Sequence, residues 1–445
     1  MKTLDHIPVT KFERAGKLVQ TGVKLGGNYL KYYGQKLLDP ETDRTSLDEE
    51  NAKDVYDGLK RLKGSALKVA QMLSMEKNLL PQAYVERFSL AQFSVPPLSA
   101  PLVRKTFQAS LEQYPEDLFD HFEPESVNAA SIGQVHRARK DGRELAVKVQ
   151  YPGVSDSIGS DLALVRPIAL RMFNLSSRET EKYFREVAEK LMEETDYCLE
   201  LKRSEAVTEA CRHLPGVRFP SYYPQWSSER ILTMDWMEGV HLGEFVKGPY
   251  SREEGDRLGQ TLWDFYMYQI HQLRLVHADP HPGNFLVGED GALIAIDFGC
   301  VKEIPEAFYK PYFELAQAEN IGNPVMLEEK LRELEILTPG DTPEEVAFFT
   351  ALFREMLQLF TEPFQAETFD FSDPGFWGRI ADLSRRFASD TEIRNRNASR
   401  GSRHFIYINR TFFGLYNLLH DLRARIQVSR FRTYLSSTGP GKGSC

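Results

Sequence analysis

The stretch from Val276 to Gly299 constrains the fold of this chain more than any other. Val276-His277-Ala278-Asp279-Pro280-His281-Pro282-Gly283-Asn284 leads into the apolar triplet Phe285-Leu286-Val287, and Ile294-Ala295-Ile296 ends on Asp297-Phe298-Gly299. Proline lacks a backbone donor and restricts the residue before it, so Pro280 and Pro282 bar a regular helix here. The segment reads as short apolar strands around polar loops, within a half that beyond Gly239 is otherwise helical. Upstream, residues 40 to 110 read as helix, with Lys60 to Met75 strongly periodic, up to a break at Val95-Pro96-Pro97-Leu98-Ser99-Ala100-Pro101. The pattern turns to β from Phe122 to Tyr151, where Asp141-Gly142 signals a hairpin. Ser176 and Glu179 make a capping box for one long helix that carries Phe184, Val187, Leu191, Cys198 and Leu201. Strand-like Val217 to Tyr222 and Arg230 to Trp236 follow.

With 445 residues, 42% hydrophobic and 27% charged, the chain has the composition of a globular protein of two or three domains. No apolar run reaches the length of a membrane span. The start lacks the features of a secretory or transit peptide, and four cysteines without a C-x-x-C pair suit a reduced compartment. The expected compartment is therefore the cytoplasm. A net charge of -9 disfavours nucleic acid as a partner. Residues 1–37 carry seven lysines and arginines against two acids, with Phe12, Ala15, Val19, Val23, Leu30 and Tyr33 near helical spacing. This basic amphipathic segment suits either an anionic lipid surface, on the inner face of a membrane, or an acidic face of its own protein.

The loops carry the chemistry. Asp279 precedes Asn284 by five residues, as in the H-R-D-x-x-x-x-N loop of phosphoryl-transfer enzymes, and an Asp-Phe-Gly follows. That kit suits an Asp279 that orients or deprotonates an acceptor, with Asn284 and Asp297 holding magnesium on ATP or ADP phosphates. A transition-metal triad of His277, Asp279 and His281 is the competing arrangement, disfavoured by the two prolines. Ala146-Val147-Lys148-Val149 matches V-A-I-K; between Leu145, Val147 and Val149 its lysine needs a buried acid. The long helix offers Glu193, Glu194, Asp196 and Glu200, of which Asp196 and Glu200 share a face and Glu193 reads as solvated. The phosphate loop is Asn128-Ala129-Ala130-Ser131-Ile132-Gly133, where only Gly133 has the freedom to take a positive φ.

These motifs, in this order from about Lys60 to Arg425, resemble the UbiB-type atypical kinases, or AarF-domain family. The resemblance implies nucleotide contacts at Ala129, Ala130 and Ser131 and a Lys-x-Gly-Gln helix at Lys68-Val69-Ala70-Gln71. It also implies a Glu-x-Asp pair at Glu194 and Asp196, with Glu200 as the partner of Lys148. Lys68 and Gln71 would fold over the nucleotide and close the route a peptide substrate takes, with Lys68 meeting Glu194. Similar proteins support biosynthesis of ubiquinone and related prenylated lipids. Ala70 and Asn128 depart from the family pattern, and the pair of terminal membrane helices frequent in bacterial members is missing. Independently, no long phosphosite loop and no A-P-E follow Asp297.

The expected fold is α+β, a bilobal protein-kinase-like fold with a helical N-terminal extension capping the cleft. Its parts are a basic segment (1–37), a helical extension (38–110), an N-lobe (111–236), a helical C-lobe (237–435) and a disordered tail (436–445). The expected function is magnesium-dependent nucleotide hydrolysis or phosphoryl transfer supporting prenyl-lipid synthesis, with prenyl-quinone intermediates or biosynthetic enzymes as partners. Adenine would pair with backbone at Met237-Glu238-Gly239. The alternatives are a small-molecule phosphotransferase of the aminoglycoside or choline kinase type and a nucleotide-gated lipid-binding scaffold.

Overall fold

The computed structural model describes residues 45–62, 98–129, 132–173, 177–389 and 400–435, with isolated helical turns between 24 and 36. Lys68, Gln71, Ala130, Ser131, Ser176 and the tail after 435 lie outside the described residues. The chain divides into two compact units, Met1–Lys202 with Ser221–Trp236, and Arg203–Pro220 with Met237–Cys445.

The first unit contains α1 (Thr45–Leu62), α2 (Ala100–Leu111), β1 (His121–Phe122), β2 (Asn128–Ala129), β3 (Gly133–Lys140), β4 (Arg143–Gln150), α3 (Val154–Phe173), α4 (Ser177–Glu194) and the start of α5 (Tyr197–Cys211). Then β5 (Val217–Arg218) belongs to the second unit and β6 (Ile231–Asp235) returns to the first. The order β1-β3-β4-β6, with β2 on β3, makes an antiparallel sheet. Asp141 at φ 51° and Gly142 at φ 72° turn β3 into β4 with two left-handed residues, the twist that a two-residue hairpin demands. Leu145, Val147 and Val149 are fully buried, in one core with Phe107, Phe119 and Ile231. Ala146, Lys148 and Gln150 alternate onto the other face.

The single long helix expected after the hairpin is two helices. Helix α4 ends at Glu194, and Asp196 starts α5 by accepting the Leu199 amide at 3.0 Å on Oδ1, an N-cap bond. The break is held from outside: Gln150 Nε2 donates to the Thr195 carbonyl at 2.8 Å, and the Tyr197 amide donates to the Glu229 carbonyl at 3.2 Å. Asp196 and Glu200 therefore do not share the face of one continuous helix, because Asp196 spends its side chain on the cap.

In the N-terminal segment, Lys31 pairs with Glu50 of α1 at 2.8 Å, Lys24 with Asp54 at 3.6 Å, and Asn28 donates to Asp54 at 2.9 Å. At these positions the basic segment docks on an acidic face of its own protein.

The second unit holds β7 (Val240–His241), α6 (Arg252–Tyr268), β8 (Leu275–His277), β9 (Phe285–Val287), β10 (Leu293–Ala295), β11 (Val301–Glu303), α7 (Glu306–Glu314), α8 (Pro324–Glu333), α9 (Pro343–Phe360), α10 (Pro374–Ser389) and α11 (Arg403–Asp421). A π-helical turn, Gln269–Leu273, joins α6 to β8. The sheet order is β5-β10-β9-β7, and β8 pairs with β11. Its core gathers Trp263, Phe265 and Tyr266 of α6 with Phe285, Phe298, Leu415 and Tyr416; Val207, Cys211, Leu214 and Val217 join it, which draws residues 203–220 into this unit. No helix among the described residues is long and apolar enough to cross a membrane.

Candidate active site

In the first unit Lys148 and Glu200 form a buried ion pair. Nζ of Lys148 donates to Oε1 of Glu200 at 2.7 Å, and the ammonium stands 5.2 Å from the centre of the Tyr197 ring. The pairing follows from the strand: Lys148 and Gln150 lie on one face of β4, and one reaches Glu200 while the other fixes Thr195 before α5. An ion pair taken out of water must be well aimed to offset desolvation, so this one sets position more than stability. Gly133, at the start of β3, does not have a positive φ. Its constraint is closeness instead, since a Cβ there would stand 2.4 Å from the Val149 carbonyl oxygen. The preceding β2 pairs Ala129 with Gln134 and Asn128 with Val135.

In the second unit two loops are tied together by backbone. The Ala278 amide donates to the Cys300 carbonyl at 2.8 Å, and the Ile296 amide to the Asn284 carbonyl at 3.0 Å. The Asn284 amide nitrogen Nδ2 donates to the Asp279 carbonyl at 2.9 Å and to Asp279 Oδ2 at 3.2 Å. Its NH2 group is thereby engaged, and Oδ1 is the atom that could hold a cation. Asp297 Oδ1 accepts the Gly299 amide at 2.9 Å, which fixes that carboxylate. A carboxylate and an amide oxygen are the hard donors that magnesium takes, with water completing its shell. These residues fit that ion.

Three residues that the sequence reading missed position the loop. His277 is fully buried between Phe285 and Phe298; its backbone amide donates to Gln269 Oε1 at 2.9 Å, and its Nδ1 shares a hydrogen bond of 3.2 Å with the Tyr266 hydroxyl. Burial pushes the His277 imidazole below its ordinary pKa and the Tyr266 phenol well above its own, so the contact joins two neutral groups. The π-helical turn aims Gln269. Arg410 of α11 stands 4.0 Å from Asp279 Oδ1. Nothing in the sequence separates Tyr266 and Gln269 from ordinary core residues, whereas Arg410 has a neighbour, Gly414, whose presence inside a helix asks for a reason. The triad of His277, Asp279 and His281 does not assemble: His277 faces Tyr266, whereas His281 Nδ1 accepts the Gly283 amide at 3.0 Å.

Glu194 closes α4 half-buried and Asp196 is exposed. Met237 and Gly239 lie outside any helix or strand; Gly239 is required because a Cβ would meet the Val287 carbonyl oxygen at 2.9 Å. Val301 opens β11 directly after the Asp297 loop and α7 starts at Glu306, so no long segment follows Asp297.

The hairpin sheet with its lysine–glutamate pair, and the helical unit with its paired loops, define a protein-kinase-like α+β fold. A family model, the ABC1 atypical kinase-like domain, matches residues 90–323, and the chain belongs to this family of atypical kinases, as the UbiB-type motifs led one to expect. Protein ACTIVITY OF BC1 COMPLEX KINASE 8, chloroplastic, of Arabidopsis thaliana is 34% identical over 277 residues, 59% of this chain and 36% of that protein. Atypical kinase COQ8B, mitochondrial, of Danio rerio is 27% identical over 346 residues, 77% of this chain and 54% of its own length. The chain thus spans about a third to about a half of the curated relatives it matches. Among solved structures, Rv3197 of Mycobacterium tuberculosis in complex with erythromycin superposes with a TM-score of 0.61 at 26% identity, over 90% of this chain and 98% of that one.

Proposed function

We propose that this chain binds magnesium–nucleotide, ATP or ADP, and works as an unorthodox kinase or ATPase that supports ubiquinone or related prenyl-lipid synthesis at a membrane surface. The observation that carries this reading is the buried Lys148–Glu200 pair at 2.7 Å, since a lysine held dry and aimed by a carboxylate is costly unless it receives a phosphate. Lys148 holds the α and β phosphates. Asn284 and Asp297 hold magnesium, which when bound neutralises charge developing on the phosphates. Asp279, oriented by Asn284, aligns water or an acceptor hydroxyl. Lys68, Gln71, Glu194 and Asp196 act as a regulatory set. The direct passage from Asp297 into β11 and α7 speaks against a protein substrate, because a peptide platform needs a long segment there.

The test is phosphate release by the full chain, together with quinone and prenyl-lipid profiling of a deletion strain. Asp297→Asn is expected to abolish turnover and to leave the strain's lipid defect uncorrected. Wild-type turnover by Asp297→Asn would remove the metal assignment, and a normal lipid profile would remove the pathway.

A second reading, a small-molecule phosphotransferase, draws on the erythromycin complex of the Mycobacterium tuberculosis protein. It expects rapid phosphate transfer to a drug or amino-alcohol; a screen without transfer dismisses it.

A further inference from the structure

We propose that helix α11 is a brace for the Asp279 loop, with Arg410 as a positioning residue and Gly414 as the point of contact. The inference rests on the assignment of Asp279 to the acceptor.

Helix α11 reaches the loop twice. Arg410 Nη2 stands 4.0 Å from Asp279 Oδ1, while Asn284 Nδ2 holds the other carboxylate oxygen at 3.2 Å. The carboxylate is thereby flanked on both oxygens by groups from separate parts of the chain, which restricts rotation of the side chain as Asn284 alone does not. Four residues further along α11, on the same face, Gly414 lies against Pro280. A Cβ at 414 would stand 2.4 Å from Pro280 Cγ and 3.1 Å from its carbonyl oxygen. Glycine inside a helix is less favourable than alanine, so its use here marks a close approach rather than helix preference. On another side of the loop, Gly243 lies next to Pro282, where a Cβ at 243 would stand 3.4 Å from the ring.

The loop needs such support. Three of its amides bond within the loop itself: His281 to the Asp279 carbonyl at 2.8 Å, Gly283 to His281 Nδ1 at 3.0 Å, and Asn284 to the His281 carbonyl at 2.9 Å. Its strand neighbours β8 and β9 are three residues each. Orientation of a reacting group contributes to rate only if the group is held, and a small displacement of Asp279 costs turnover while nucleotide binding survives. The charge on Arg410 also stays close to the carboxylate that must remain an acceptor. At its one-third exposure the pair contributes little to global stability, so its role is local.

The test is hydrogen–deuterium exchange of the nucleotide-free full chain, read at His281, Gly283 and Asn284, with Leu286 and Ile294 of the adjoining strands as reference. Arg410→Ala and Gly414→Val are expected to speed exchange in the loop about tenfold while the reference amides stay unchanged. Arg410→Lys keeps the charge and is expected to remain within about threefold of wild type. With magnesium–ATP, Arg410→Ala should lower kcat and leave KM nearly unaltered. Gly414→Ala serves if Gly414→Val does not fold. Wild-type exchange in the loop of both Arg410→Ala and the Gly414 variant overturns the brace, as does acceleration spread equally over loop and reference. A wild-type chain that neither binds nor turns over nucleotide defeats the proposed function, yet the exchange experiment still decides whether α11 holds the loop.

Discussion

Lys148 and Glu200 are each worth little alone and are needed together. With Lys148 truncated, Glu200 is left as a buried acid, and with Glu200 neutralised the ammonium loses the partner that aims it. Removing one member of a buried pair costs about 3 kcal/mol or more, whereas replacing both by apolar groups costs far less. Glu200→Ala is therefore expected to lower unfolding free energy by about 3 kcal/mol in urea melts, and Lys148→Met with Glu200→Leu to recover most of it without recovering nucleotide binding. Gly133 gives a second residue-scale prediction. A methyl group forced 2.4 Å from the Val149 carbonyl must push β3 off β4, so Gly133→Ala should destabilise the chain by about 2 kcal/mol in the same melts. The identity of Gly133 was legible in the sequence but its reason was not, because flexibility and close approach look the same until the opposing strand is in place.

At the scale of elements, local signals were readable where one residue pair decides the outcome. Asp141-Gly142 specified a hairpin because both positions take positive φ, and Asn284 with Asp279 fell in a loop because two prolines left no alternative. The break between α4 and α5 was invisible, since Leu191, Cys198 and Leu201 continue a helical period across it and the groups that hold it open, Gln150 and Glu229, come from elsewhere in the chain. The same holds for Arg410, whose partner lies over a hundred residues upstream. Another element-scale clamp is testable by pH. Arg400, just before α11, pairs with Asp341, just before α9, at 2.7 Å, and lies 3.7 Å from the centre of the Phe349 ring. The Arg400 guanidinium, aided by Thr338, holds the Asp341 carboxyl down to about 2 from its ordinary 3.8. A carboxyl with a depressed native pKa adds stability that is complete above its ordinary pKa and is lost as pH falls through the native one. The stability gap between wild type and Asp341→Asn should therefore be full at neutral pH and shrink between about pH 4 and pH 2 in thermal melts. A gap that stays constant over that window would assign the difference to packing instead.

For the molecule as a whole, each of the two units carries its own group of motif residues. The first contributes the cation aimed by an acid, Lys148 with Glu200, and the second contributes Asp279, Asn284 and Asp297 on loops tied by the Ala278 and Ile296 amides. Membership of the ABC1 atypical kinase-like family agrees with both. The docking of Lys24 and Lys31 on α1 accounts for part of the basic N-terminal charge, so neutralising Lys2, Lys11 and Lys17 should weaken any binding to anionic vesicles more than neutralising Lys24 and Lys31 does. Co-sedimentation with vesicles of phosphatidylglycerol checks this. The most direct measurement of all is calorimetric titration of ATP into the full chain with and without magnesium, on wild type and Asp297→Asn. Binding that requires magnesium and weakens at least about tenfold in the variant is the expected result. Equal affinity with and without the ion, or no affinity at all, would contradict it.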